Sequence, residues 1–275
     1  MTREKGGPPL LGMRVMVTRP ESCCDPLAEQ LRRLGAEVLV QPAIRITEPA
    51  DWGPVDAALA HLDSFDWLVF SSGNGVRYLL ERLRRVRGVA AGGSQEAAAE
   101  EPKQQPLSSL IPSRVKLAAI GPGTADQLAR YHLRADLVPQ QFQAEALAES
   151  LCRGAQGRRF LLARASRGRE VLAEQLAAAG AKVEQIVVYA SVDVEVPDAR
   201  FAQMLAGSQI DWITVTSSAI ARSLVRLFDG ALSRSKLASI SPLTSGVLRE
   251  LGYAPAAEAR EATLPALVAA IVEAS

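Results

Sequence analysis

The chain repeats itself. The pentapeptide Leu27-Ala28-Glu29-Gln30-Leu31 returns letter for letter as Leu172-Ala173-Glu174-Gln175-Leu176, 145 residues later. The same offset carries Gly35-Ala36 onto Gly180-Ala181 and Asp66-Trp67 onto Asp211-Trp212. Lys116-Leu117-Ala118-Ala119-Ile120 then matches Lys236-Leu237-Ala238-Ser239-Ile240 at an offset of only 120, so the first copy carries 25 additional residues. These fall in 88–113, a stretch rich in Gly, Ala, Gln, Glu, Pro and Ser that buries little and reads as a mobile surface insertion without a chemical role. At 275 residues and 48% hydrophobic, the chain is long enough for each copy to build its own core.

Each copy alternates short apolar runs with amphipathic stretches. In the first, strands are expected at Val15-Met16-Val17, Val38-Leu39-Val40, Trp67-Leu68-Val69-Phe70, Leu117-Ala118-Ala119-Ile120 and Asp136-Leu137-Val138. Asp25-Pro26 signals a helix start, Leu27, Leu31 and Leu34 recur at helical spacing, and Gly35 closes that helix. Val76, Leu79, Leu80 and Leu83 give the stripe of a helix packed on a sheet, and Thr124 with Gln127 has capping-box spacing. A helix around Leu147 and Leu151 completes the first copy; the second places strands near Phe160-Leu161-Leu162, Ile186-Val187-Val188, Trp212-Ile213-Thr214-Val215 and Leu237-Ala238-Ser239-Ile240, with a last helix from Leu264 to Val272 that mirrors it. Short, continuous apolar strands between amphipathic helices imply parallel sheets covered on both faces: an α/β protein of two flavodoxin-like, doubly wound domains.

In such sheets ligands bind outside the carboxyl ends of the strands. The loops there are Thr18-Arg19-Pro20, Ser71-Ser72-Gly73-Asn74-Gly75 and Gly121-Pro122-Gly123-Thr124 in the first copy. In the second they are Ala163-Arg164-Ala165-Ser166, Thr216-Ser217-Ser218 and Ser241-Pro242-Leu243-Thr244. Small hydroxyls, glycines and helix-opening N–H groups suit anions. The same residues also serve as N-caps and turn formers. As a set repeated in both copies they favour a cleft for a ligand with many phosphates or carboxylates.

Other chemistry finds little support. Net charge is +1, which removes the usual footprint of a nucleic-acid binder. Three cysteines, Cys23, Cys24 and Cys152, cannot build a disulfide framework or a zinc site and read as free thiols in a reducing compartment. No signal-peptide core or membrane span is evident, so a soluble, cytoplasmic protein is expected. His61 and His132 stand apart from any nucleophile, no cluster has metal spacing, and Gly121-Pro122-Gly123 is neither a Walker loop nor a dinucleotide fingerprint. No metal or cofactor is expected.

Taken in order, Val17-Thr18-Arg19-Pro20, Leu34-Gly35-Ala36-Glu37-Val38 leading to Pro42, and Asp66-Trp67-Leu68-Val69-Phe70-Ser71-Ser72-Gly73-Asn74-Gly75-Val76 resemble the uroporphyrinogen-III synthase family. The resemblance continues through Ile120-Gly121-Pro122-Gly123-Thr124-Ala125, Gly180-Ala181-Lys182-Val183 to Val188-Tyr189, Thr216-Ser217-Ser218 and Ile240-Ser241-Pro242-Leu243-Thr244. It spans nearly the whole chain outside 88–113, with Ser241 where the family has Gly and Ser71 where it has Thr. It implies two α/β domains joined by two crossing strands, with a cleft between them. The resulting division is discontinuous, 1–42 plus 190–275 and 43–188, whereas pattern alone splits the chain near Arg153-Gly154.

The resemblance also implies a cofactor-independent hydro-lyase of tetrapyrrole (haem, porphyrin) biosynthesis that acts as a monomer on a small-molecule substrate, with neither nucleic acid nor membrane as partner. Hydroxymethylbilane, a linear tetrapyrrole carrying eight carboxylates, would lose water to give an azafulvene. It would then close to uroporphyrinogen III through a spiro intermediate that inverts ring D. Because the bilane also closes unaided without inversion, the enzyme's task is largely to hold one geometry. Tyr189 is the implied catalytic residue, a phenol protonated at neutral pH that assists departure of the hydroxyl. Arg19, Ser71, Ser72, Asn74, Gly75, Gly121, Gly123, Thr124, Arg164, Ser217, Ser218, Pro242 and Thr244 are the candidate substrate-binding residues. Arg164 can also be read as a solvated loop residue. The competing reading is a two-domain protein that closes on a small anion without chemistry; a glycosyltransferase of two Rossmann-like domains is a third.

Overall fold

The computed structural model describes residues 7–20, 25–90 and 107–275. Cys23 and Cys24 therefore lie outside the described residues, as does 91–106, the middle of the expected insertion. In chain order the elements are β1 (Arg14–Val17), α1 (Pro26–Arg33), β2 (Glu37–Val40), β3 (Ile44–Thr47), α2 (Gly53–Ala60), β4 (Trp67–Phe70) and α3 (Gly73–Ala90). There follow α4 (Leu107–Leu110), β5 (Lys116–Ala119), α5 (Pro122–Ala129), α6 (Ala144–Cys152), β6 (Arg159–Ala165), α7 (Val171–Ala178) and β7 (Lys182–Asp193). The last are α8 (Ala199–Ala206), β8 (Trp212–Val215), α9 (Ser218–Phe228), β9 (Lys236–Ser239), α10 (Pro242–Glu250), β10 (Ala257–Glu258) and α11 (Leu264–Glu273).

The chain divides into two units, Met1–Ile46 with Val192–Ser275, and Thr47–Ser191. The first holds a sheet in the order β2-β1-β8-β9-β10. All four of its strand pairs are parallel, with Val15 opposite both Val38 and Trp212. Alternation along β1 sends Val15 and Val17 to a face packed with Leu27, Leu31, Leu267 and Ile271, and Met16 to the other face with Ile213, Ile220 and Leu224. The second unit holds β7-β6-β4-β5 of the other sheet, whose outermost strand is β3. On one face Val69, Phe160 and Leu162 pack with Leu147, Leu172 and Leu176. Apart from the β3 edge, strand order around β6 reproduces that around β1, so each sheet reverses its winding at one place: β1/β8 in the first unit and β6/β4 in the second.

The repeat is visible in matching contacts. Leu27, Ala28 and Leu31 are buried in α1, and Leu172, Ala173 and Leu176 in α7. The carboxylate of Asp66 accepts the Arg159 N–H at 2.8 Å, and that of Asp211 accepts the Arg14 N–H at 2.8 Å. The backbone of each Asp is bonded on both sides, to Arg159 and Lys116 in one unit and to Arg14 and Lys236 in the other. Lys116 lies over the Trp67 ring and Lys236 over the Trp212 ring.

Several expectations are revised. The run Asp136-Leu137-Val138 makes only an isolated bridge from Leu137 to Ala118. Asp136 turns its carboxylate onto the Leu117 N–H at 2.7 Å, and Pro139 supplies no donor to continue the ladder. The capping box at Thr124 does not form, because Pro122 fixes the start of α5 one turn earlier and extended Gly121 is its N-cap. Residues 88–113 are not a loop throughout: α3 continues to Ala90, and Leu107, Leu110 and Ile111 are buried, since these apolar side chains find a core. β3 was not foreseen, and β7 runs for 12 residues rather than three.

Gly35 and Gly252 both follow helices with left-handed φ, +90° and +88°. A Cβ on Gly35 would stand 2.8 Å from Pro8 Cβ and 3.2 Å from the Leu11 backbone, whereas Gly252 faces open space. Gly252→Ala should cost about 1 kcal/mol from backbone strain alone, and Gly35→Ala at least twice that, by urea unfolding of the two variants. Equal losses would show that the Leu11 turn yields freely.

Candidate active site

The carboxyl edge of the second unit is assembled at the ends of β4, β5, β6 and β7. Ser72 ends the β4 loop as the cap of α3: its Oγ accepts the Gly75 N–H at 3.0 Å and its carbonyl accepts the Val76 N–H. Gly75 is buried, and a Cβ there would stand 3.3 Å from the Ala163 carbonyl and from Ser72 Oγ, so only glycine lets α3 approach β6 this closely. A Cβ on Gly73 would lie 3.7 Å from the Gly123 carbonyl, which places the Gly121-Pro122-Gly123 turn beside it. Gly121 faces Phe142, and nothing stands over Gly123.

Tyr189 is carried into this edge by an irregularity. β6 and β7 run in register from Arg159↔Lys182 to Arg164↔Val187, and then Ala165 meets Tyr189, leaving Val188 as the extra residue of a bulge. The Ser166 N–H donates to the Tyr189 carbonyl at 2.9 Å. The Tyr189 phenol, 7% exposed, shares a hydrogen bond of 3.0 Å with Ser72 Oγ, and its ring stacks on Tyr78 at 5.8 Å between centroids and 24° between planes. Burial pushes its pKa up from the ordinary value, and the Ser72 hydrogen bond opposes this less strongly. Ser72, Gly75, Gly123 and Tyr189 are thus brought together. Half-buried Asn74 sits in the first turn of α3 beside them.

The first unit builds its edge from the same parts. Ser217 Oγ accepts the Ile220 N–H at 3.2 Å as the cap of α9, with Ser218 opening the helix. Ser241 Oγ accepts the Thr244 N–H at 3.3 Å as the cap of α10, whose first residue, Pro242, is exposed. Thr244 is 2% exposed, with its hydroxyl 3.2 Å from Ser241 Oγ, and Thr124 in the other unit is also buried. Both threonine side chains are therefore packed inward, because a threonine on the third helical position turns towards the sheet.

The two arginines at equivalent strand ends are not free. Arg19 pairs with Asp25 at 3.3 Å, and Arg164 pairs with Glu170 and donates to Gln185 at 2.8 Å. Asp25 and Glu170 stand at the same offset of 145 as Arg19 and Arg164, so the ion pair belongs to the duplicated fold. Arg164 is neither solvated nor an open carboxylate partner. Together with Ser71 it lines a cavity of about 60 Å³, room for one or two waters. A larger hollow of about 300 Å³ lies at the opposite edge, by Arg159 and Glu184, and holds none of the candidate residues. Among the described residues no His, Cys, Asp or Glu group could hold a metal, and no helix is long and apolar enough to cross a membrane. Tyr78 lies on α3 outside the stripe of Val76, Leu79, Leu80 and Leu83, and no motif in the sequence singles it out.

Paired flavodoxin-like sheets in one chain, one of them with a buried phenol among its helix caps, define a two-unit α/β protein of duplicated design. The family follows from comparison: the uroporphyrinogen-III synthase HemD model matches residues 25–269, and the chain belongs to that family. The uroporphyrinogen-III synthase of Synechococcus elongatus is 32% identical over 273 residues, covering 96% of both chains. A putative uroporphyrinogen-III synthase of Methanocaldococcus jannaschii is 26% identical over 88% of this chain and 91% of its own. The fold is that of solved uroporphyrinogen-III synthases from Helicobacter pylori (TM-score 0.61, 17% identity, 96% of this chain and 100% of that one) and Thermus thermophilus (TM-score 0.61, 18% identity, 95% and 98%).

Ser72→Ala removes the Gly75 cap and the Tyr189 partner together. It should lower the stability of the second unit by about 1–2 kcal/mol, and Tyr189→Phe, which keeps the cap and the ring stack, by less. Chemical denaturation of both variants checks the order, which a costlier Tyr189→Phe would reverse.

Proposed function

We propose that this chain cyclises hydroxymethylbilane to uroporphyrinogen III, with loss of water and inversion of the terminal ring, in tetrapyrrole biosynthesis. The observation that carries the reading is the buried Tyr189 phenol, bonded to Ser72 at the carboxyl edge of a flavodoxin-like sheet, in a chain of this family. Helix-opening N–H groups around Gly75 and Gly123, with the Asn74 amide, take carboxylates in the second unit. Those around Ser217, Ser218 and Leu243 do so in the first.

Tyr189 then assists the departing hydroxyl. Ser72 Oγ donates to the phenol oxygen while the phenol O–H turns to the substrate's hydroxymethyl oxygen and helps it leave as water. The raised pKa keeps that proton in place at neutral pH. Selection of the inverted product comes from holding the bilane folded, since closure without inversion needs no enzyme. Thr124 and Thr244, whose own N–H groups are spent on Gly121 and Ser241, contribute by shaping the first turns of α5 and α10, and Arg19 and Arg164 by bracing the loops. A soluble cytoplasmic monomer working without cofactor fits this reading.

Freshly generated hydroxymethylbilane incubated with the chain should give the type III isomer; type I alone sinks the proposal and favours the non-catalytic anion binder. Tyr189→Phe should slow type III formation about 10²-fold, the low end for general acid assistance, with an unchanged fold by circular dichroism. Parental turnover would remove Tyr189 from the reaction.

The pH dependence has a fixed sign. Because the phenol's pKa is raised, its proton is lost only as pH rises above the ordinary value of about 10. The wild-type rate of type III formation should show no alkaline limb from Tyr189 below pH ~9. A limb there that is absent in Tyr189→Phe would contradict the assignment.

A further inference from the structure

Tyr189 is the inner member of a longer array. Its ring stacks on Tyr78, and the Arg77 guanidinium lies over the other aromatic in that pair, 4.7 Å from the Tyr78 centroid. Arg77 is exposed and sits in the second turn of α3, the helix whose N-terminus Ser72 caps. It is thus within two ring spacings of Tyr189.

Most arginines nearby are committed. Arg82 is paired with Asp56, Arg85 with Glu48, and Arg87 donates to the Leu59 carbonyl. At the strand ends Arg19 and Arg164 are paired as described. Among the described residues Arg77 has no carboxylate within 4 Å. A guanidinium seated on a ring loses part of its rotamer freedom and keeps its N–H donors for a carboxylate. Such a fork binds a carboxylate more strongly than a helix amide does, because both partners are ionised.

We propose that Arg77 is a substrate-binding residue, taking a carboxylate of the linear tetrapyrrole beside Tyr189, and that Tyr78 is the positioning residue that holds it there. This rests on the cyclase reading above and names one of its anion contacts. Arg77 replaces Arg19 and Arg164 as the cation offered to the substrate.

Steady-state kinetics of type III formation test it. Arg77→Gln should raise KM about tenfold, the weak end for one lost charge-assisted hydrogen bond, with kcat changed by no more than about twofold. Arg77→Lys should fall between, and Tyr78→Leu should raise KM although Arg77 is intact, while Tyr78→Phe, which keeps the ring stack, should undo most of that rise. Arg84→Gln, which removes an equal charge from the same helix, where Arg84 lies over the Tyr131 ring, should leave KM as it is. An Arg77→Gln KM within about twofold of the parent, or an equal rise in Arg84→Gln, overturns the inference alone. A wild-type chain yielding only the type I isomer overturns the cyclase reading and this inference with it.

Discussion

Two carboxylates hold the architecture in register. Asp66 and Asp211 each stand at the start of a central strand, and each clamps the first N–H of the neighbouring strand while its own N–H and carbonyl pair on either side. A parallel sheet has no hairpin to set its register, and a slip of one residue would exchange the two faces of every strand. Fixing the amino ends of β1 and β8, and of β6 and β4, therefore fixes how far the opposite ends project. The position of Ser72 against Tyr189, with Ser72 six residues beyond Asp66, depends on that alignment. The apolar faces then lock it: Val15 and Val17 cannot change places with Met16 without exposing one core and overfilling the other.

At the far ends, one set of groups serves structure and chemistry together. Ser72, Ser217 and Ser241 each use a hydroxyl to satisfy one helix N–H, which leaves other first-turn N–H groups without an intrahelical partner. The threonines turn inward: Thr18 donates to the Thr214 carbonyl and Thr214 to the Met16 carbonyl, bracing the first unit where its winding reverses. Among the described residues, an aromatic hydroxyl, that of Tyr189, joins this layer in the second unit alone. The two edges are thus alike in fold and different in chemistry.

The duplicated pentapeptide placed two helices correctly because its Leu and Ala positions face a sheet in both copies. The Asp-Trp repeat was equally legible as a recurrence, although its meaning as a backbone clamp requires the neighbouring strand. β3 escaped notice because Arg45 and Thr47 interrupt its apolar residues, and β7 because only Ile186-Val187-Val188 of its 12 residues form an apolar run. Tyr189 came from the family resemblance, and no local pattern announces a bulge at Val188. The ion pairs of the two arginines were legible in the repeat itself. Each has an acid six residues further on, and the repeat offset that linked Arg19 to Arg164 also links Asp25 to Glu170.

The discontinuous first unit has a consequence for synthesis on the ribosome. β1 needs β8 as a neighbour, and Val15 meets Trp212 across nearly two hundred intervening residues. At about 5–20 residues per second, the nascent β1–β2 pair waits on the order of ten seconds or longer with one edge open. The second unit, lying in a single stretch from Thr47 to Ser191, can meanwhile complete its sheet. Vectorial folding would thus begin in the middle of the polypeptide, and the earliest strands to emerge would be among the last to find their place.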